Sequence, residues 1–244
     1  MLRFRSSARR LAAICGVGIS LALQATAQDP APEAKAAAGS GGKTWYAQAL
    51  ARGQAGLNVT HFWSKGPMLR AETVVAGHRV VTIVKGDWYY AYDALTNHGI
   101  AIRRDPAAIE LAAKDGRPFG NEYKSLLEQG AELVRQEEVL GRKTGVFRVT
   151  DERGQRELWA TLDEERLPLR VEIYDRRSAT RRYTDYVNWQ SGLGIPDSFF
   201  EPEARVQIER IELDDYFART LKEGPIGPVP VLYGRLLSVR RDAE

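Results

Sequence analysis

The chain has 244 residues, of which 35 are basic, 32 acidic and three histidine, for a net charge of +3. Arg3, Arg5, Arg9 and Arg10 precede an apolar run from Leu11 to Leu23 and the small-residue pattern Ala25-Thr26-Ala27, which reads as a secretory leader over 1–27 with cleavage before Gln28. That leader holds four arginines and no acid, so the remainder carries 31 basic against 32 acidic residues, and nucleic-acid binding loses its electrostatic basis. The apolar run falls short of the roughly 20 residues a membrane span needs, and the expected destination is the periplasm. Cys15, the only cysteine, lies inside the run after Ile14 rather than after the small residue a lipidation signal needs. The exported chain is then cysteine-free, which excludes disulfides, thiolate metal sites and a cysteine nucleophile.

Residues 28–43 are rich in Ala, Pro and Gly without apolar periodicity and read as a flexible linker. Thr44 is placed to cap a short N-terminal helix marked by Trp45, Leu50 and Leu57. From Leu57 the pattern turns to period two, predicting strands over 57–64, 67–76, 79–85, 87–93 and 98–103. Gly66-Pro67, Gly77, Gly86-Asp87 and Asn97-His98-Gly99 separate them at hairpin spacing. Connections this short require antiparallel neighbours. Pro106, following Asp105, opens a helix to about Lys114, and a second helix is expected over 121–129. Strands resume over 131–139, 143–150, 155–162, 168–175, 180–187 and 204–212. Val206 and Ile208 share one face while Ile211 and Leu213 share the other, which predicts a bulge near Glu209-Arg210. A short helix over 214–222 and a final strand or helix over 232–239 complete the reading. The fold class is mainly β (α+β): one domain over 44–213 holding about eleven antiparallel strands with two helices inserted midway, and a C-terminal extension over 214–244.

Chemistry-bearing motifs are sparse. His61, His78 and His98 fall on different strands or turns, without metal-type spacing. There is no G-x-S-x-G elbow, H-E-x-x-H pair or phosphate loop in the sequence. Adjacent acids such as Glu137-Glu138 point to opposite faces of a strand and cannot act as one dyad. No enzyme activity, cofactor or metal is expected. What stands out is the segment 80–92, VVTIVKGDWYYAY, apolar on both faces. A two-faced apolar sheet must be covered on both sides. Either it forms an ordinary core under the inserted helices, or those helices form a lid over a space that takes a hydrophobic ligand.

The motif order resembles that of a known family. Phe62, Lys65, Pro67 and Arg70 resemble the Phe, Lys, Pro and Arg signature, in that order, of LolA-like periplasmic carriers of outer-membrane lipoproteins. VVTIVKGDWYYAYDA resembles the family's strand, Gly-containing turn and aromatic strand. Leu167-Pro168 with Glu172, and Ile195-Pro196 with Phe199 and Pro202, are similar to its later segments. The resemblance implies an unclosed half-barrel of about eleven strands with a helical lid. It also implies acyl chains of lipoproteins or related lipids as ligands, with inner-membrane donor and outer-membrane acceptor proteins as partners. It further implies that Arg70 holds the lid. The candidate ligand-binding residues in the first half of the sheet are Val59, Trp63, Arg70, Val81 and Ile83, joined by Trp88 and Tyr90. Leu126 and Leu127 come from the lid. Phe147, Leu158, Leu169, Val171 and Ile173 come from the second half. The alternative function is an envelope sensor or interaction module on the same fold, with Tyr216, Phe217, Leu232 and Tyr233 as anchors for a protein partner.

Overall fold

The computed structural model describes residues 42–53, 56–228 and 233–239. The leader, Cys15, Leu232 and nearly all of the 28–43 linker lie outside the described residues. The protein is mostly β: one open sheet of twelve strands, not closed into a barrel. The chain runs β1 (Thr44–Gly53), β2 (Gly56–Lys65), β3 (Met68–Val75), β4 (His78–Lys85), β5 (Trp88–Asp93) and β6 (His98–Arg103), then helices α1 (Pro106–Asp115) and α2 (Glu122–Glu128). Strands β7 (Glu132–Val139), β8 (Arg142–Asp151), β9 (Gly154–Thr161), β10 (Pro168–Asp175) and β11 (Thr180–Ser191) follow. A 3-10 turn (Asp197–Phe200), β12 (Gln207–Ile211), α3 (Leu213–Glu223) and α4 (Gly234–Leu237) complete the chain.

The expected N-terminal helix is instead strand β1, and the strand count is twelve rather than eleven. Alanines raise helix propensity in TWYAQALARG, but its burial alternates. Trp45, Ala47 and Ala49 are buried on one face, and the strand pairs with β2 on one side and β11 on the other. Tertiary pairing overrides a weak local preference. β1 is therefore in the middle of the sheet, whose order is β12-β6-β5-β4-β3-β2-β1-β11-β10-β9-β8-β7.

This order forces two long crossings. Hairpins carry the chain outward from β1 to β6. Residues 104–131 must then reach the far edge at β7, and they do so over one face as α1 and α2. Hairpins return the chain to β11 beside β1, and residues 192–206 must cross again to reach β12 beside β6. That second crossing, here called the strap, takes the opposite face.

Each crossing covers its own core. Under the helices lie Trp45, Phe62, Leu69, Tyr89, Ile102 and Leu158, among others. Under the strap lie Val81, Ile83 and Tyr92, covered by Phe200, with Trp63 and Tyr90 packed at the margin. The two-faced apolar character of 80–92 follows directly.

β12 departs from the antiparallel expectation, since it pairs with β6 in parallel. It does so in unbroken register from Gln207–His98 to Ile211–Ile102, with no bulge at Glu209-Arg210. The parity slip has a simpler cause. Ile208 packs in the strap-side cluster and Ile211 in the helix-side cluster, because this strand is covered on both faces. Beyond 213, Tyr216, Leu236 and Leu237 join the helix-side core.

The strap is structural cover, so Phe200→Ala is expected to cost about 3–5 kcal/mol, because Phe200 is fully buried. Urea denaturation should show the midpoint falling with an unchanged slope. An unshifted midpoint would mean that the strap contributes nothing to the fold.

Candidate functional site

The helix-covered face holds a cavity of about 490 Å3, within the range of small-molecule sites. Its sheet wall is Phe62 of β2, Val171 and Ile173 of β10, and Tyr186 of β11. Its cover is the α1–α2 linker at Phe119 and Gly120, then Glu122, Ser125 and Leu126 of α2, and the tail at Tyr233, Gly234 and Arg235. Arg156 completes the polar part of the rim.

The linker is held rigidly. Phe119 stacks between Phe62 (5.0 Å between centroids) and Trp189 (5.5 Å). Buried Arg117 donates from Nε to the Phe119 carbonyl (2.9 Å) and from Nη2 to the Gly120 carbonyl (2.7 Å). Its guanidinium lies 4.9 Å from the rings of both Trp45 and Trp189. Burial lowers its pKa, while the charge of Glu122 opposes that shift. Gly120 has φ 68° and passes so close to Trp189 that a Cβ would lie 2.6 Å from the indole, so only glycine fits there.

The tail is held by a second buried arginine. Arg104 donates to the Leu236 carbonyl (2.6 Å), the Gly86 carbonyl (2.7 Å) and the Ala108 carbonyl (3.5 Å). Desolvation brings its pKa down to about 10. Next to it, the Asp105 N–H donates to the Leu237 carbonyl (2.9 Å), and Asp105 Oδ1 caps α1 by accepting from the Ala107 N–H (3.0 Å). On the cavity wall, Tyr186 O–H donates to Glu122 Oε1 at 2.5 Å. Burial, followed by the neighbouring Glu122 charge, pushes the Tyr186 hydroxyl well above its usual pKa.

The fourteen candidate residues are not brought together. Leu126, Val171 and Ile173 line the cavity. Phe147 and Leu158 belong to the same helix-side core, and Leu169 is buried at the β9–β10 register shift. Leu127 is exposed on α2. Trp63, Val81, Ile83 and Tyr90 lie on the other face under the strap. Trp88 shares that face beneath the guanidinium groups of Arg103 and Arg210. Val59 shares the strand parity of Trp63 and is exposed.

Arg70 also takes the strap side. It is the cross-strand partner of Trp63 and Ile83, pairs with Glu72 (2.8 Å), and donates to the Phe199 carbonyl (3.1 Å). It therefore holds the strap rather than the helices. Alternation places side chains on two faces but does not say which face is which: Trp63 lies on the strap-covered face, whereas its neighbour Phe62 lines the cavity. Sequence reasoning also missed Phe119, which sits in a loop without periodicity, and Tyr186.

A second hollow of about 700 Å3 lies among the turns near His78, Asp93, His98 and Glu209, with Gly227 and Pro228. Its polar centre serves the fold. Asp93 accepts hydrogen bonds from His78 Nδ1 (2.7 Å), the Leu95 N–H (2.8 Å) and Thr96 Oγ1 (3.0 Å).

No protein-family model matches the chain, and no curated protein does. Solved structures resemble it at low identity. An uncharacterized conserved protein from Thermus thermophilus has a TM-score of 0.49 at 12% identity, covering 69% of this chain and 90% of that one. MucB of Pseudomonas aeruginosa, solved with MucA, has a TM-score of 0.44 at 13% identity. That match covers 69% of this chain but 59% of the other, so this chain spans less than two thirds of that protein. A domain from Vibrio parahaemolyticus described as outer membrane lipoprotein-sorting has a TM-score of 0.31 at 14% identity, covering 66% and 89%. At these levels of likeness, function must be argued from the chain's own residues.

The anchoring groups can be tested one at a time. Burial raises the Asp93 pKa, but its three donors outweigh that and bring it down to about 2. The folded value lies below the unfolded one of about 3.9, so this stabilisation is complete above about pH 4 and is lost as pH falls toward 2. The urea-midpoint gap between wild type and Asp93→Asn should be wide at pH 6 and should narrow by pH 3; a constant gap would contradict this role. Arg104→Met keeps the stem and removes the donors. Amide hydrogen exchange in 233–239 should then accelerate at least tenfold while β1 and β2 stay protected, and unchanged exchange would show that Arg104 does not hold the tail.

Proposed function

We propose that the protein is a periplasmic lipid-binding carrier rather than a catalyst, and that the cavity under α1, α2 and the tail takes an acyl chain of a lipid or lipoprotein bound for the outer membrane. The observation that supports this most strongly is the cavity itself, walled by Phe62, Phe119, Leu126, Val171, Ile173 and Tyr186. At roughly 30 Å3 per small group, its volume admits on the order of sixteen non-hydrogen atoms, which suits one chain rather than three. Each buried methylene contributes about 0.8 kcal/mol, so insertion of half a chain already gives useful affinity. The export pattern of the leader and the motif order of the lipoprotein carriers agree with this reading. In it, α1 and α2 act as a lid, with the linker at 117–120 as its fixed end. Donor and acceptor proteins at the two membranes would load and unload the chain.

The interaction-module alternative has less to draw on. Tyr216, Phe217 and Tyr233, its proposed anchors, pack into or against the helix-side core and are not displayed for a partner.

Ile173→Trp should fill the cavity and weaken lauric acid binding at least tenfold by titration calorimetry. Trp63→Ala, on the opposite face, should leave affinity within about twofold. Equal losses in the two variants, with both chains folded by circular dichroism, would place the ligand elsewhere.

A further inference from the structure

The acyl-chain reading leaves one feature of the cavity unused. Glu122 stands at the start of α2 and is the one carboxylate in the cavity lining, beside Leu126, Val171, Ile173 and Tyr186. Its Oε1 is filled by the Tyr186 hydroxyl. Its Oε2 is buried and has no hydrogen-bond partner among the described residues. A carboxylate accepts through both oxygens, and leaving one buried acceptor unmet costs on the order of 1–3 kcal/mol. A group in that position calls for a donor that the described residues do not supply.

We propose that Glu122 and Tyr186 form a head-group subsite, and that the ligand is a single-chain amphiphile carrying an uncharged hydrogen-bond donor, a hydroxyl or an amide N–H, next to its chain. This rests on the reading of the cavity as an acyl-chain site. The chain lies against Val171, Ile173 and Leu126, and the donor reaches the Glu122 carboxylate beside Tyr186. The terminal torsion of a glutamate is broad and roughly two-fold, so a small turn presents the unfilled oxygen to the cavity.

Local charge decides which kind of donor is favoured. The Glu122 carboxylate already interacts with the buried Arg117 guanidinium, and Arg156 and Arg235 stand on the same cavity wall. Arg156 is paired with Asp151, so an ammonium head beside the Glu122 carboxylate would meet the guanidinium groups of Arg117 and Arg235. A neutral donor gains the charge-assisted hydrogen bond without that repulsion.

The test is titration calorimetry of the full chain with matched ligands of one chain length. Lauryl alcohol and lauramide carry the donor, lauryl methyl ether and methyl laurate lack it, and laurylamine carries a positive charge. The alcohol and amide should bind about tenfold tighter than their ether and ester counterparts, and the amine should bind no better than the ether. Glu122→Leu should bring all four neutral ligands within about twofold of one another. Glu122→Gln, which preserves the shape of the side chain, should reduce the preference without abolishing it. Equal binding of alcohol and ether to the wild-type chain would overturn the subsite while leaving the acyl-chain reading intact, since a water would then satisfy Glu122. A preference that survives Glu122→Leu would also overturn it. Failure of every ligand to bind would overturn both.

Discussion

The structure depends on where β1 lies. A first strand in the middle of a twelve-strand sheet means that the chain reaches one edge, must cross to the other, returns to the middle and must cross again. A crossing cannot pass through a sheet whose backbone groups are paired, so it must lie on a face. The two crossings lie on opposite faces, and each buries the apolar side chains beneath it. This one constraint accounts for the two separate cores, for the strap over β2 to β5, and for a helix-covered face broad enough to leave a cavity.

The same geometry explains why the two halves of the sequence differ in legibility. On β8 to β11 the strap is absent, and the face opposite the helices carries a charged lattice. Arg148 pairs with Glu157, Arg170 with Asp185 and Arg181 with Glu172. β10 shows the alternation, with Arg170 exposed between buried Leu169 and Val171, and its apolar residues could be read from sequence. On β3 to β5 both faces are covered, so alternation vanishes and the face of Ile83 or Tyr90 could not be read. The hairpins and α1 were legible because their turns and the Asp105 cap carry local chemistry, and α2 because Tyr123, Leu126 and Leu127 recur at helical spacing. β1 was not, because Ala47 and Ala49 favour a helix locally and become strand only through partners far away in sequence. The cavity was half legible. Val171, Ile173 and Leu126 followed from periodicity, whereas Phe119 and Tyr233 lie in segments outside the strand pattern.

Three irregular segments must be fixed to the sheet without strand pairing, and each is fixed by an arginine that is almost wholly buried. Arg70 holds the strap through the Phe199 carbonyl. Arg117 holds the α1–α2 linker through the carbonyls of Phe119 and Gly120. Arg104 holds the tail, the β4–β5 turn and the first turn of α1 through three carbonyls at once. Irregular backbone leaves carbonyls without ladder partners, and a buried carbonyl needs a donor. The guanidinium group offers five N–H donors in a fixed fork, so one side chain can satisfy several carbonyls and join segments distant in sequence. Its desolvation is costly, and the aromatic faces of Phe199 at Arg70, and of Trp45 and Trp189 at Arg117, recover part of that cost.

The cavity itself follows from side-chain size. On the helix-covered face the buried positions of the sheet include Ala47, Ala49, Ala71, Ala91 and Ala160. The strap-covered face has Trp63, Met68, Ile83 and Tyr90 instead. A strap of irregular chain brings few side chains of its own, so large sheet residues must fill the gap beneath it. Helices bring whole faces of side chains, so the sheet beneath them must be small where they approach closely. Where α2 and the tail diverge, near Val171, Ile173 and Tyr186, neither the sheet nor its cover fills the space. An apolar space of this kind forfeits dispersion contacts along its whole lining. A lipid chain would restore those contacts, whereas water gains little from a wall with few polar partners. A ligand bound there, as proposed, would lie beside Glu122, whose Oε2 is buried without a hydrogen-bond partner among the described residues.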